Sequence, residues 1–366
     1  MQEFSTGMRP VQCDLSVCLL TWNGKDLTLA CLASLYEHTA GINFEVIIVD
    51  NGSSDGTGEA IREQFPCVKL IINDRNRGFT VPNNQAIQVS SGRYVILLNN
   101  DTLFTRNALK SMGEYLDQNP EVAVVGCKLR LPSGRIQRSA HTSMTWWDYV
   151  FAAFYLHHLL PKSKIFGRIN MTFMDYQTTT ADVDWVAAAA MMVRSSAIGE
   201  VGPLDERIFA FSEDWEWCIR FKRHGWRVVY FAGTEITHSE GMSSHSRSGL
   251  KGDEVRQWSI LTAAASASYV YSKLNSRPQR ENRLFDLSRR LFYLSKAVSF
   301  AILNILSGTG REWGRVNGYL RAALIRRRQL WDVYLRQVAG PSDSMGYNHC
   351  GGRQLDDKRD ECFSEF

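Results

Sequence analysis

Three polar clusters each close an apolar run, which is where an α/β fold puts its ligands. Thr21-Trp22-Asn23-Gly24 follows Leu15 to Leu20, Asp50-Asn51-Gly52-Ser53-Ser54-Asp55-Gly56 follows Val46 to Val49, and Asn99-Asn100-Asp101 follows Tyr94 to Leu98. Taken singly, each is ordinary turn chemistry, because Asn-Gly and Asp-Gly close turns without a ligand. At the end of a buried strand, however, a carboxylate such as Asp101 brings a hard oxygen to the sheet edge, where a divalent cation can bridge it to a diphosphate. Further on, Glu213-Asp214-Trp215-Glu216 opens a predicted helix from Asp214 to His224. Carboxylates there favour the positive end of the helix dipole. A carboxylate held in a pocket by a rigid helix start can equally take a proton from a reacting hydroxyl, with Asp214 first and Glu213 and Glu216 as alternatives. His238 follows the apolar run Val228 to Phe231 and is either a structural histidine or a further metal ligand.

The elements that must carry these residues alternate. Leu15 to Leu20, Val46 to Val49, Val68 to Ile72 and Tyr94 to Leu98 read as strands. Between the first two, Leu27, Cys31 and Leu35 recur at helical spacing beside Leu32 and Tyr36, which predicts a helix over Lys25 to His38. Ser53 to Gly56 offers caps for a second helix reaching Gln64, and Pro66 marks its end. Two βαβ units in succession predict a doubly wound sheet, whose ligand site lies at the carboxyl edge. From Val122 to His245 the pattern is less regular, with strand-like runs at Val122 to Val125, Trp185 to Val193 and Val228 to Tyr230. The aromatic-rich stretch Ser143 to Phe173 reads as a packed helical insertion, with an acceptor-binding surface as the alternative. Asp253 to Ala339 is helical, with Leu291, Leu294, Val298, Ile302 and Ile305 on one face.

Length and composition bound the rest. The 366 residues, 44% hydrophobic and 22% charged, suffice for a large domain with an appendage and exclude wholesale disorder, collagen-like repeats and a disulfide miniprotein. Net charge is only +4, yet Lys273 to Arg336 holds fourteen basic and four acidic residues, a local +10. That excess is either a solvated helix surface or, beside an apolar helix face, a match for anionic lipid headgroups, which is the preferred reading, and no nucleic-acid module accompanies it. The eight cysteines form no Cys-x-x-Cys pair and read as reduced, mostly buried thiols of a cytosolic compartment. The N-terminus lacks a signal-peptide layout, and with Lys296 inside the richest apolar stretch, Leu291 to Leu306, no transmembrane helix is expected. The polar tail from Gly340 is expected to be disordered.

The order of the clusters is more specific than any one of them. Thr-x-Asn, Val49-Asp50-Asn51-Gly52-Ser53 with Asp55, Asn76-Arg77-Gly78-Phe79 with Asn83-Asn84, and Asn99-Asn100-Asp101, each in its place between strands and helices, together resemble family-2 glycosyltransferases. Val183-Asp184-Trp185-Val186, the run Gly202 to Phe209, Ser212-Glu213-Asp214-Trp215-Glu216-Trp217-Cys218 and Thr237-His238-Ser239 resemble the rhamnosyltransferase-like branch that builds bacterial cell-surface polysaccharides. The resemblance covers Asp14 to His245 and implies the GT-A nucleotide-diphospho-sugar transferase fold, a Rossmann-like mixed α/β sheet flanked by helices. The expected organisation is an N-terminal arm (1–13), a catalytic domain (14–250, with nucleotide-binding and acceptor halves meeting near residue 119), a basic helical region (251–339) and the tail (340–366).

Carried over position by position, the resemblance implies that Thr21 and Asn23 border the nucleotide, that Asp50 accepts a hydrogen bond from a pyrimidine with Asn51 and Ser53 alongside, that Gly78 permits close backbone approach, and that Asn84 and Asn100 sit near the donor. Asp101 matches the last residue of the family's metal-binding Asp-x-Asp, with Asn99 at its first position and His238 as a further ligand for Mg²⁺ or Mn²⁺. Asp214 matches the catalytic base of an inverting single displacement. Asp205 and Arg207 match a segment near the acceptor, with anchoring of their loop by an ion pair as the alternative, Asp184 and Trp185 border the sugar, and the glycine usual shortly afterwards is here Ala188. The implied donor is a dTDP- or UDP-linked sugar, rhamnose first, and the acceptor a glycan or lipid-diphosphate-linked saccharide. The implied location is cytoplasmic, peripheral on the cytosolic face of the inner membrane. A catalytically degenerate sugar-nucleotide binder and a nucleotidyltransferase of similar topology are the competing readings. Leu19 to Lys25 lacks the glycine-rich phosphate-grasping loop of the latter.

Overall fold

The aliphatic runs become strands because helices cover them on both faces, so every side chain along them can be apolar. The computed structural model describes residues 12–168, 170–239, 252–274, 278–307 and 313–325. The expected tail and most of the N-terminal arm lie outside the described residues. The chain divides into a larger unit (Met1–Ser143, His157–Glu206 and Glu213–Lys251) and a smaller one (Met144–Leu156, Arg207–Ser212 and Gly252–Phe366).

The larger unit begins β1 (Cys13–Thr21), α1 (Lys25–His38), β2 (Phe44–Asp50), α2 (Thr57–Gln64), β3 (Lys69–Ile72), α3 (Thr80–Val89) and β4 (Gly92–Asn99). It continues β5 (Thr102–Leu103), α4 (Ala108–Gln118), β6 (Val122–Arg130), β7 (Ile136–Gln137) and β8 (Ala140–His141). After α5 (Trp146–Ala153) of the smaller unit and α6 (Leu156–Leu159) come β9 (Ala181–Asp182), β10 (Trp185–Val186), β11 (Ala190–Arg194), α7 (Ser195–Val201), α8 (Glu213–Arg223) and β12 (Arg227–His238). The main sheet runs β3-β2-β1-β4-β11-β6-β12-β5. β1 lies parallel to β2 and β4, and β6 to β12, while β11 runs antiparallel between β4 and β6. One face buries Leu15, Val17, Leu32, Leu35, Ile96 and Met112, and the other buries Ile47, Val95, Leu97, Trp217 and Phe221. Four of the six cysteines among the described residues are buried free thiols. Burial pushes Cys31 and Cys127 up to about 12, so they are inert packing groups.

Three sequence expectations change. The run Trp185 to Val193 is not one strand: β10 pairs with β8 in a separate ribbon, and β11 enters the main sheet. The alanines between them give their backbone donors elsewhere, Ala187 N–H to the Ser139 carbonyl and Ala188 N–H to the Asp214 carboxylate. β12 extends past an irregularity between Phe231 and Glu235, so His238 is its last residue rather than a loop residue beyond it. The aromatic insertion is only partly packed. Tyr149 is buried edge-on against Phe285, but the helices are too short to bury both faces, and Trp147, Phe154 and Ile165 are exposed.

In the smaller unit α9 (Gly252–Leu274), α10 (Pro278–Ser307) and α11 (Trp313–Leu324) follow α5. α10 buries Phe285, Arg289, Tyr293 and Ala297, and Arg289 donates to the Ala322 carbonyl of α11. Its opposite face is open: Leu287, Leu291, Leu294, Val298, Ile302 and Ile305 are all exposed at steps of three and four. The expectation of no membrane-crossing helix rested on uninterrupted apolar length. By length and composition alone Arg280–Ser307 is long and apolar enough to cross a membrane, with mean hydropathy 1.2 over its most apolar part, of which 17% is buried.

Candidate active site

The carboxyl ends of β1, β2 and β4 bring the three polar clusters to one edge of the sheet, as Thr21↔Asp50 and Leu20↔Asn99 pairings require. There they brace one another. Asn51, 2% exposed, donates through Nδ2 to Asn76 Oδ1 (2.8 Å) and the Gly78 carbonyl (2.9 Å), and its Oδ1 accepts from Asn73 Nδ2 and Arg77 N–H. Asn23, at φ 48°, donates its N–H to Ser53 Oγ (2.9 Å) and accepts at Oδ1 from Ser54 N–H (2.8 Å). Asp50 accepts from Ser53 N–H at 2.9 Å and is buried beneath the loop. Thr21, Thr28 and Asn100 form a third buried knot, with Asn100 Nδ2 donating to both hydroxyls.

Of the residues expected around a nucleotide, Asn51, Thr21 and Asn100 therefore have their hydrogen-bonding groups engaged within the protein. Asn84 is likewise engaged: its amide donates to the Leu204 carbonyl and to Glu206, and accepts from Leu204 N–H. Gly78 adopts φ +82°, the left-handed conformation only glycine enters freely. Thr28 and Asn73 were missed by sequence reasoning, and Asn76, which stands in the Asn76-Arg77-Gly78-Phe79 run, was given no role of its own. Of the first two only Thr28 carried a signal, one helical turn after Gly24.

The third cluster reaches a different partner. Asp101 (3% exposed) lies with its Oδ1 3.3 Å from His238 Nε2, and Asn99 Nδ2 is 3.5 Å from the same nitrogen. β5 pairs with the end of β12, His238 opposite Thr102, which brings these residues together across a long sequence gap. His238 Nδ1 lies 2.7 Å from Gln137 Oε1. An amide oxygen only accepts, so Nδ1 carries the proton and Nε2 faces Asp101. Gln137, on β7, had no sequence signal. A carboxylate, an imidazole nitrogen and an amide form a donor set of hard and borderline ligands that suits Mg²⁺ or Mn²⁺. Among the described residues no group of three His, Cys, Asp or Glu side chains gathers. A cation held here would complete its shell with water and substrate oxygens, as Mg²⁺ commonly does.

Asp214 sits in the first turn of α8, reached through two non-glycine residues in left-handed conformation, Phe211 (φ 67°) and Ser212 (φ 66°). Such backbone costs about 1–3 kcal/mol per residue. Desolvation pushes the Asp214 carboxyl up to about 6, against the opposing effect of hydrogen bonds from Trp215 N–H (2.8 Å) and Ala188 N–H (3.3 Å). The residue as a whole is half-buried. The other two carboxylates differ. Glu216 is fully buried and grips Arg220 Nε with both oxygens (2.8 and 2.9 Å), while Arg220 donates to three carbonyls of the 201–203 turn. Glu213 is buried beside them. Asp184 is held by Ser143 N–H and Lys222, Trp185 stacks on His141 at 3.9 Å, and the guanidinium of Arg207 lies over the Tyr269 ring. Asp205 is half-buried.

A mixed sheet of this order with its polar edge is the GT-A glycosyltransferase fold, and the mannosyltransferase PcManGT of Pyrobaculum calidifontis shares it at TM-score 0.50 and 17% identity, over 88% of this chain and 90% of that one. Residues 16–178, just under half of the chain, match the model of Glycosyl transferase family 2, and this match together with the relatives that follow supports a glycosyltransferase. It is 25% identical over 214 residues to the N-acetylglucosaminyl-diphospho-decaprenol L-rhamnosyltransferase of Mycobacterium tuberculosis, 54% of this chain and 67% of that protein. It is 30% identical over 222 residues to the O-antigen biosynthesis protein RfbC of Myxococcus xanthus, 60% of this chain and 16% of that protein.

The braces make one prediction immediate. A Cβ on Gly52 (φ +82°) would meet the Arg75 backbone at 2.7 Å. Gly52→Ala should therefore cost about 1–3 kcal/mol of stability and loosen the loops expected to border a nucleotide. Thermal unfolding together with nucleotide titration checks this, and an unchanged midpoint with unchanged affinity would contradict it.

Proposed function

We propose that the chain is an inverting, cation-assisted glycosyltransferase that moves a sugar, rhamnose first, from a nucleoside-diphosphate donor to a hydroxyl of a lipid-diphosphate-linked saccharide in cell-surface polysaccharide synthesis. The observation that carries the reading is the division of labour among carboxylates: Asp101 beside His238, and Asp214 raised to about 6 and free of the ion pair that holds Glu216. The name of the mycobacterial relative supports the donor and acceptor classes, and the Mn²⁺ and GDP-mannose bound to the Pyrobaculum enzyme support the cation and nucleotide sugar.

In the reaction the acceptor oxygen attacks the anomeric carbon as the bond from that carbon to the diphosphate oxygen breaks, and the nucleoside diphosphate departs from the opposite face with the bonding pair. Asp214 takes the hydroxyl proton. Asp101, Asn99 and His238 would hold Mg²⁺ or Mn²⁺, which supplies charge neutralisation for the departing diphosphate. Gly78, Asp50 and the braced loops hold the nucleoside in one geometry, so little orientational freedom is left to lose at the transition state. Saturation-transfer NMR with a panel of nucleotide sugars, with and without Mn²⁺, tests the reading. Cation-dependent contact with dTDP-rhamnose is expected, and failure of every donor to bind would overturn it.

The exposed stripe of α10 supports peripheral docking on an anionic membrane. It runs about 27 Å from Leu287 to Ile305 at the rise of an α-helix, and the same spacing continues back to the exposed Arg283 and Arg280, at headgroup level. The buried, hydrogen-bonded Arg289 on the other face suits a helix lying on the membrane rather than one crossing it. Leu294→Glu with Val298→Glu should cut co-sedimentation with phosphatidylglycerol vesicles at least about tenfold while leaving donor binding intact. Equal sedimentation would count against the dock.

A further inference from the structure

The larger unit contains a cavity of about 810 Å³ that the donor chemistry leaves unused, lined by Arg130, Arg135, Gln137, Arg138, His158 and Gln177 among others. Its position is informative. β6 runs parallel to β12 with Arg130 opposite Thr237, so the cavity opens at the same sheet edge as His238, one strand away. Gln137 belongs to both places, lining the cavity and holding the His238 ring at 2.7 Å.

Its charge is unbalanced. Arg130 is bound to Glu235 at 2.6 Å, but the same carboxylate also serves Arg106 (2.9 Å) and Lys128 (3.9 Å), and these cations hold it below the usual range. Arg135 and Arg138 are exposed, and among the described residues no carboxylate lines the cavity. Forked guanidinium groups that line a concave space suit phosphate oxygens, which they can hold bidentately.

We propose that this cavity binds the diphosphate group of the acceptor. The assignment rests on the glycosyl-transfer reading above and adds to it a second anion site, separate from that of the donor. The donor's nucleoside is expected at the loops after β1 and β2 and its diphosphate at Asp101, which leaves the Arg135 and Arg138 charges for a second anion entering from the β6–β7 side. An acceptor held there by its diphosphate is anchored beside the reacting centre without any contact to the nucleotide loops.

The test uses the full chain and three probes by titration calorimetry: inorganic pyrophosphate without divalent cation, farnesyl diphosphate, and dTDP with Mn²⁺. Each is measured on wild type, Arg135→Gln, Arg138→Gln and the double variant; these side chains are exposed, so folding should be unaffected. Pyrophosphate and farnesyl diphosphate should each lose roughly tenfold in affinity per arginine, with dTDP binding unchanged. Equal pyrophosphate affinity in the double variant would overturn the site. Parallel loss of dTDP binding would assign the cavity to the donor, and binding of pyrophosphate but not farnesyl diphosphate would exclude a lipid-linked ligand; either result refutes the proposal. The dTDP measurement on wild type reports on glycosyl transfer and the pyrophosphate measurement on the cavity, so the two ideas fail separately.

Discussion

Asp214→Asn should lower kcat by about 10²–10⁴-fold, the usual range for losing a general base, while donor affinity stays within twofold or so. The wild-type pH profile should report the same group. With the carboxyl at about 6, kcat should fall roughly tenfold per pH unit below that value and level off above it. Stability runs the other way. A carboxyl raised above its unfolded value binds its proton more tightly in the folded chain, so its contribution is present in full below about pH 4 and is lost as pH rises through about 6. At neutral pH the folded protein therefore carries an ionised, desolvated carboxylate at a net cost. Asp214→Asn removes that charge and should raise the unfolding midpoint at pH 7.5 but not at pH 4. A variant that loses activity only in step with stability, or a flat profile from pH 5 to 8, would remove Asp214 from the role of base.

Asp101→Ala should abolish cation-dependent donor binding. Removing a direct ligand ought to exceed the roughly 10–100-fold loss typical of removing a group that only orients one. Gln137→Ala supplies that comparison, because at the cation site Gln137 reaches the far nitrogen of His238 and not the nitrogen that faces Asp101. Mn²⁺ binding followed by electron paramagnetic resonance, with and without dTDP, should rank the variants wild type, Gln137→Ala, Asp101→Ala in falling affinity. Asp101→Asn keeps shape and loses charge, which separates a lost ligand from a disturbed β4–β5 turn. Wild-type affinity in Asp101→Ala would show that the cation, if used, is held elsewhere.

The sequence made the first half of the sheet legible because its strands are purely aliphatic and its helix ends are marked: α1 occupies the predicted Lys25 to His38, and α2 stops just before Pro66. β6 and β12 were read too short for a physical reason. Beyond Val125 and Phe231 the apolar pattern meets Lys128, Arg130 and Glu235, where sequence reading ends a strand. In the fold those charges face one another across the β6–β12 ladder, and Lys128 donates to the Gln177 carbonyl. The strands continue because the charges are paired.

The site was legible in outline by residue type at strand ends. What could not be read was which side chains face a ligand and which hold the frame. Asn51 and Asn84 look alike in sequence, yet their partners lie as far away as Gly78 and Leu204. Proximity of His238 to Asp101 likewise depends on β5 pairing with β12, a contact no local pattern encodes.

The bracing of the loops proposed to hold the nucleotide bears on how such enzymes diversify. Asn51 alone joins four partners on one neighbouring loop, so an exchange there is penalised before any new donor can be tested by selection. Descendants of this scaffold that switch nucleotide sugars should keep Asn51, Asn73 and Asn76 as a unit and record their divergence in the positions that the bracing leaves unconstrained.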